Sequence, residues 1–191
     1  MKPDNYQEID PKILIEKAKS GDDQAFEQLY NQYFSPLHRY ILIRVGDSDE
    51  ADDLVQIVFV KFHRNLQGWQ DKGYAPSAYL YTIARSVIAD YYRKNARMGN
   101  KLSNSEEVLT ILSDTSQNPH QDVIIAEEIQ TLYSNLQRIP QNYQEVLLLR
   151  YMQGLPSSEI ATVIGKSDVA TRKMLSRAVA ALAKESSLDN E

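Results

Sequence analysis

Apolar residues recur along this chain at intervals of three and four, and no stretch alternates apolar and polar positions as a half-exposed strand does. The clearest run is 49–64, where Ala51, Leu54, Val55, Val58, Phe59 and Phe62 fall on one stripe and predict a core-facing helix. A second stripe, Leu80, Ile83, Ala84, Val87, Ile88 and Tyr91, predicts a helix from about Pro76 to Arg97, with Pro76 suiting its first turn. Between the two lies a polar, Gly-containing loop, 65–73, with Trp69 at its centre. Upstream, Asp10–Ser20 reads as a short helix ended by Gly21. Asp22–Val45 reads as a long helix carrying Phe26, Leu29, Tyr30, Tyr33 and Phe34, which Pro36 is expected to interrupt or kink.

From Met98 to Gln121 the pattern dissolves into Gly, Asn, Ser, Asp and Thr, the composition of a linker, with at most a transient helical turn over 106–112. Helical periodicity resumes over Val123–Gln137. A further helix opens at Pro140, contains Val146, Leu147 and Leu149, and closes at Gln153-Gly154. A short helix over about Pro156–Ile164 ends at Gly165. Ser167 then suits the N-cap of a last helix reaching about Lys184. A short helix, the three-residue turn Gly165-Lys166-Ser167 and a longer helix have the spacing of a helix-turn-helix. The expected fold class is therefore all-α: two small helical domains, 1–97 and 123–191, joined by a flexible linker, 98–122, the second domain containing the helix-turn-helix.

The charge map sharpens this picture. The 191 residues carry a net charge of -5, yet the charges are sorted. Five of the seven residues from Asp47 to Asp53 are acidic and none is basic. Tyr79–Lys101 holds Arg85, Arg93, Lys94, Arg97 and Lys101 against Asp90 alone, and Lys166–Lys184 holds Lys166, Arg172, Lys173, Arg177 and Lys184 against Asp168 alone. One acidic block and two basic helices suggest one protein partner and two nucleic-acid contacts, since local fields rather than the total decide binding. With no cysteine there is no disulfide, thiol nucleophile or cysteine-based zinc site. No apolar run approaches a membrane span and no secretory leader is visible, so the cytoplasm is the expected compartment and no membrane partner is expected. The three histidines (His38, His63, His120) are scattered, and no phosphate loop, nucleophile elbow or paired catalytic carboxylate occurs. No catalytic residue, metal or cofactor is expected.

Three surfaces remain as candidates. On the helix 49–64, Asp53, Ile57, Val60 and Arg64 point away from the core stripe with Gln56 beside them, and exposed Ile57 and Val60 amid charges suit protein docking. The alternative is a solvated acidic turn favoured by the helix dipole. On the helix 77–97 the outward side holds Thr82, Arg85, Ser86, Ala89, Arg93 and Ala96, small residues spaced by arginines that suit a phosphate backbone. The adjoining Asn65, Trp69, Gln70 and Tyr74 can stack on or hydrogen-bond to unpaired bases, hydrophobic packing at the loop base being the plainer alternative for Trp69. On the last helix Leu175, Ala178, Val179 and Leu182 form the inward stripe. Val169, Ala170, Lys173, Ser176 and Arg177 face outward, able to enter a major groove or simply to form a solvated basic face.

These pieces, in this order, resemble a bacterial sigma factor of the extracytoplasmic-function group of the sigma-70 family. The stretch Ala51-Asp52-Asp53-Leu54-Val55-Gln56, then Val58-Phe59, looks like the family's region 2 core-binding helix. Tyr79-Leu80-Tyr81-Thr82-Ile83-Ala84-Arg85, continuing to Asp90-Tyr91-Tyr92-Arg93, looks like its promoter-melting helix. The run from Ile139-Pro140 through Leu149-Arg150-Tyr151, then Gly154-Leu155 and Glu159-Ile160-Ala161, is similar to region 4.

The resemblance implies a non-catalytic specificity subunit that directs core RNA polymerase to promoters and nucleates melting. Asp52, Asp53, Leu54, Gln56, Ile57, Phe59 and Val60 would dock, or support docking, on the clamp helices of the beta-prime subunit. Asn65, Trp69, Gln70, Tyr74, Thr82, Arg85, Ser86, Arg93 and Arg97 would hold the minus-ten element, an extruded base being captured by the loop. Ser157, Ser158, Val169, Ala170, Arg172, Lys173, Ser176 and Arg177 would read the minus-thirty-five duplex. The beta flap and an anti-sigma protein are further implied partners. The chain departs from the family at Ile57, where an acid is usual, and at Lys166, Thr171 and Met174 around the last helix. Two readings of other classes stand beside this one: a sigma-like decoy for an anti-sigma protein, and a stand-alone helix-turn-helix repressor.

Overall fold

The structure, a computed structural model, describes residues 9–71, 73–98, 108–110 and 119–188, with side chains at all of these except 97, 98 and 119–126. Its elements are α1 (Pro11–Lys19), α2 (Asp23–Val45), α3 (Ser48–Asn65), a 3-10 turn (Leu66–Gly68), α4 (Pro76–Met98), α5 (Pro119–Arg138), α6 (Gln141–Leu147) running into a π turn (Leu148–Met152), α7 (Ser157–Ile164) and α8 (Asp168–Leu188). Among the described residues no strand occurs.

Aspartates start the N-terminal helices. Asp10, Asp22 and Asp47 accept from the backbone N–H groups of Lys12 (2.9 Å), Ala25 (3.1 Å) and Glu50 (3.0 Å), satisfying donors that a helix start leaves free. Gly46 ends α2 in the left-handed region (φ 76°), a backbone conformation that carries no Cβ penalty in glycine. α2, α3 and α4 pack on one another, and α1 lies against α2 and the 3-10 turn. The stripes read from periodicity are the ones that close this core: Ala51, Leu54, Val55, Val58, Phe59 and Phe62 from α3, and Leu80, Ile83, Ala84, Val87, Ile88 and Tyr91 from α4, are all buried. Pro36 does not interrupt α2, which is continuous through it. One lost N–H is tolerated where buried Leu29, Leu37, Tyr40, Ile41 and Leu42 hold the helix on its neighbours.

In the C-terminal half α6, α7 and α8 surround a core of Leu147, Leu149, Ile160, Val163, Ile164 and Ala178, with α5 packed along α8. α5 opens at Pro119 instead of Val123, a first-turn position proline suits. α8 runs to Leu188, beyond the expected Lys184. Most of the linker expected at 98–122 lies outside the described residues; within it, residues 108–110 are helical and Val108 is buried. In the π turn the Gln153 N–H reaches the Leu148 carbonyl at 3.2 Å, five residues back. The two halves do not stand apart. α4 packs against α7, and α2 against the π turn.

Phe62 tests the N-terminal core. It is fully buried, with the Phe26 ring stacked at 6.1 Å and the Tyr79 ring tilted at 6.0 Å. Phe62→Ala is expected to lower stability by about 3–5 kcal/mol in urea unfolding followed by far-UV circular dichroism.

Candidate nucleic-acid and protein interfaces

α3 divides cleanly into two faces. With its apolar stripe buried, Asp52, Asp53, Gln56, Ile57, Val60 and Arg64 are left outward, Ile57 being 44% and Val60 49% exposed. Asp52 is partly engaged by His38 Nε2 at 3.2 Å. Leu54 and Phe59, named above as docking positions, are buried instead. Phe59 packs its ring on Tyr30 at 4.6 Å, so both can act only as supports beneath the exposed face.

The loop after α3 is tied down from α1. Gln67 Nε2 donates to the Lys19 carbonyl (2.7 Å), and Lys19 Nζ donates to the Trp69 carbonyl (3.3 Å) while lying 5.9 Å from the Trp69 ring centre. Trp69 is 7% exposed, which corrects its assignment as a base-stacking residue: its indole fills the foot of the loop. Asn65, Gln70 and Tyr74 remain exposed around it. Lys12 Nζ meets Asp71 at 2.9 Å, and that ion pair, helped by the Gly73 N–H, holds the Asp71 carboxyl below the ordinary carboxylate range.

Along α4, Arg85, Ser86, Ala89, Arg93 and Ala96 are exposed as the helical projection requires, and Thr82 is half-buried with its hydroxyl donating to the Ala78 carbonyl at 2.8 Å. The Arg97 side chain lies outside the described residues. The two described arginines are engaged: Arg93 pairs with Asp90 one turn back, and Arg85 Nε donates to Glu145 of α6 at 3.0 Å. That pairing between the two halves has no counterpart in the periodicity. Glu145 also takes Arg44 at 3.6 Å and the Tyr40 hydroxyl at 3.5 Å. Burial, foremost, drives the Tyr40 phenol far above its ordinary value, while Arg44 pulls the other way. Nearby, Tyr81 is buried and its hydroxyl donates to Gln153. The signal available in the sequence is a lone charge inside the apolar run Tyr40–Val45 for Arg44, and a lone charge at the head of the run Val146–Leu149 for Glu145.

The helix-turn-helix is built as its spacing predicts. Gly165 adopts φ 68° and the Lys166 N–H reaches back to the Ala161 carbonyl at 2.9 Å, closing α7; Ser167 Oγ then accepts from the Ala170 N–H at 3.3 Å and opens α8. Thr171, fully buried, is satisfied by donating to the Ser167 carbonyl at 3.0 Å. Val169, Ala170, Arg172, Lys173, Ser176 and Arg177 are exposed, as is Ser158, with Ser157 half-exposed. Arg172 is paired with Asp168 at 2.6 Å. Lys166, Lys173 and Arg177 border a concavity of about 310 Å³ with Asn142 and Tyr143. Val179, placed above in the inward stripe, is exposed: it lines an apolar groove of about 450 Å³ with Leu132, Leu136, Tyr151, Met152 and Leu182. α5 and the π turn form the other wall of that groove, which no single-helix pattern could indicate.

Fold and surfaces define an all-helical protein with a helix-turn-helix in its C-terminal half. The family models for sigma-70 region 2 and sigma-70 region 4 match residues 29–98 and 129–182. The ECF RNA polymerase sigma factor BldN of Streptomyces coelicolor is 32% identical over 90% of the chain, which spans 64% of that protein's length. The RNA polymerase sigma factor SigZ of Bacillus subtilis is 31% identical over 74% of this chain and 75% of its own. Among solved structures, CnrH in complex with the cytosolic domain of CnrY superposes with a TM-score of 0.68 at 25% identity, covering 95% of this chain and 98% of that one. RpoE of Bartonella quintana, in complex with the anti-sigma factor NepR, shares the fold at TM-score 0.66 and 20% identity, over 86% and 98%. The chain belongs to the extracytoplasmic-function sigma factors of the sigma-70 family, which work with RNA polymerase and promoter DNA in transcription initiation.

The burial of Trp69, the single tryptophan, is directly measurable. Its fluorescence is expected to be blue-shifted from that of the unfolded chain and protected from acrylamide. Quenching as efficient as in the unfolded chain would place the indole in solvent.

Proposed function

We propose that this chain acts in the cytoplasm as a dissociable, non-catalytic promoter-specificity subunit of RNA polymerase, with its tasks divided between a region 2 domain (1–97) and a region 4 domain (123–191). The outward face of α3, with Asp52, Asp53, Gln56, Ile57 and Val60, docks on the beta-prime clamp helices. The observation that carries this reading is the exposure of Ile57 and Val60 among carboxylates, on a helix whose other large apolar side chains are buried. Apolar side chains ringed by charge are the composition of a protein-docking patch.

Asn65, Gln70 and Tyr74 receive an unstacked base of the minus-ten element, while Thr82, Arg85, Ser86, Arg93 and Arg97 track its backbone. Ser157, Ser158, Val169, Ala170, Arg172, Lys173, Ser176 and Arg177 meet the minus-thirty-five duplex, and the apolar groove beside Val179 takes the beta flap. Two modest DNA contacts reinforce each other only when polymerase fixes their spacing. Among the described residues no helix is long and apolar enough to cross a membrane. An anti-sigma protein is proposed as a regulator, since the CnrH and RpoE structures are complexes with CnrY and with an anti-sigma factor.

Run-off transcription with core polymerase tests the docking face. Asp53→Arg is expected to abolish transcripts while leaving circular dichroism unchanged; undiminished initiation would relocate the docking surface. Lys173→Ala and Arg177→Ala are each expected to weaken holoenzyme binding to promoter duplex and to reduce its log–log salt dependence by about one.

A further inference from the structure

α1 buries Leu14 and Ile15 and turns Ile13 and Lys17 to solvent. Lys12 and Lys19 stand seven residues apart, about two helical turns, and so share one side of it. Both reach the loop after α3. Lys19 Nζ, shared with the Glu16 carboxylate at 3.1 Å, donates to the Trp69 carbonyl at 3.3 Å. Lys12 Nζ donates to both Asp71 carboxylate oxygens, at 3.0 and 2.9 Å. In return Gln67 Nε2 donates to the Lys19 carbonyl at 2.7 Å, one of the acceptors that a helix end leaves free.

The two lysines hold the residues on either side of Gln70, whose own side chain is exposed. The Lys12 contact also acts further along the chain. Asp71 Oδ1 accepts from the Gly73 N–H at 2.8 Å, and Gly73 turns the backbone at φ 82°, a conformation that favours glycine, immediately before exposed Tyr74. Of Asn65, Gln70 and Tyr74, the last two are therefore held through α1, while Asn65 belongs to α3 itself. Extruding a base from its stack is already uphill, so a receiving loop that had to be ordered at the same moment would bind it more weakly.

We propose that α1 is the positioning element of the base-capture loop: Lys12, through Asp71, and Lys19, through the Trp69 carbonyl, fix Gln70 and Tyr74 before a strand arrives. Neither lysine contacts the base. This inference rests on the minus-ten role proposed for Gln70 and Tyr74. Partly exposed ion pairs are individually weak, so losing one lysine loosens the loop in part and leaves the fold standing. The loss falls on capture of the base and spares the backbone contacts along α4.

Holoenzyme formed with core polymerase is titrated with two short fluorescein-labelled single strands, one of randomised sequence and one abasic throughout, with core polymerase alone as the blank. The wild type is expected to prefer the base-bearing strand. Lys12→Ala and Lys19→Met are each expected to weaken binding of that strand roughly threefold to tenfold, the cost of ordering a side chain or two on binding. Binding of the abasic strand should stay at the wild-type level. Lys12→Arg, which can re-form the pair with Asp71, should recover most of the loss. Lys17→Ala removes a cation from the exposed side of the same helix and should change neither strand. Without DNA, hydrogen exchange at the Gly73 amide should quicken in Lys12→Ala, a surface substitution that keeps the test open if Lys19→Met fails to fold. Equal weakening of both strands, or an equal loss in Lys17→Ala, would overturn the positioning role in favour of a general effect of fold or charge. A wild type with no preference for bases defeats the minus-ten reading itself, whereas a wild-type preference that survives both substitutions defeats the role of α1 alone.

Discussion

The burial of the α3 and α4 stripes against α2 is the constraint on which the rest depends. A helix has one face to give to a core, so once Val55, Val58 and Phe62 are committed inward, Asp53, Ile57 and Val60 have no place but the surface. The same holds for α4, where Ala84, Val87 and Ile88 inside put Arg85, Ser86 and Ala89 outside. The outward surface of these helices is therefore a by-product of packing geometry: the residues left free to vary are those the core does not use.

Charge of one sign is placed where it costs least. The acids of 47–53 crowd the first turns of α3, where exposed N–H groups make the helix end positive, and Asp47 serves as the cap itself. The basic residues of α8 sit along an exposed face, and Arg172 is stabilised by Asp168 one turn earlier. Neither arrangement burdens the core with unpaired charge. The Arg44–Glu145–Arg85 cluster is the exception, and it lies where the two halves meet.

What the sequence makes legible divides along the same line. The stripes on α3 and α4 are local properties with a fixed period, and every residue assigned to them is buried. The helix-turn-helix was readable because Gly165 and Ser167 mark its turn chemically. Trp69 resisted, since an aromatic in a polar loop reads equally as a platform or a plug, and only the position of Lys19 on a distant helix decides for the plug. Leu54 and Phe59 were drawn into the docking set by motif although their own periodicity placed them inside. Val179 lies at the edge of its stripe, and whether an edge residue is covered depends on α5, not on α8. The meeting of Arg44, Arg85 and Glu145 depends on how two separately patterned halves lie together, which no single-helix period encodes.

The π turn at Leu148–Met152 has a consequence for how this region can change over generations. One residue beyond ordinary winding rotates all that follows by about a quarter turn or slightly more, since each α-helical residue advances roughly 100°. Here that rotation sets Tyr151 and Met152 outward on the groove wall while Gln153 reaches the opposite half. Loss of a single codon would turn both sets of side chains at once. Insertions and deletions should therefore be far rarer across this five-residue stretch than substitutions within it.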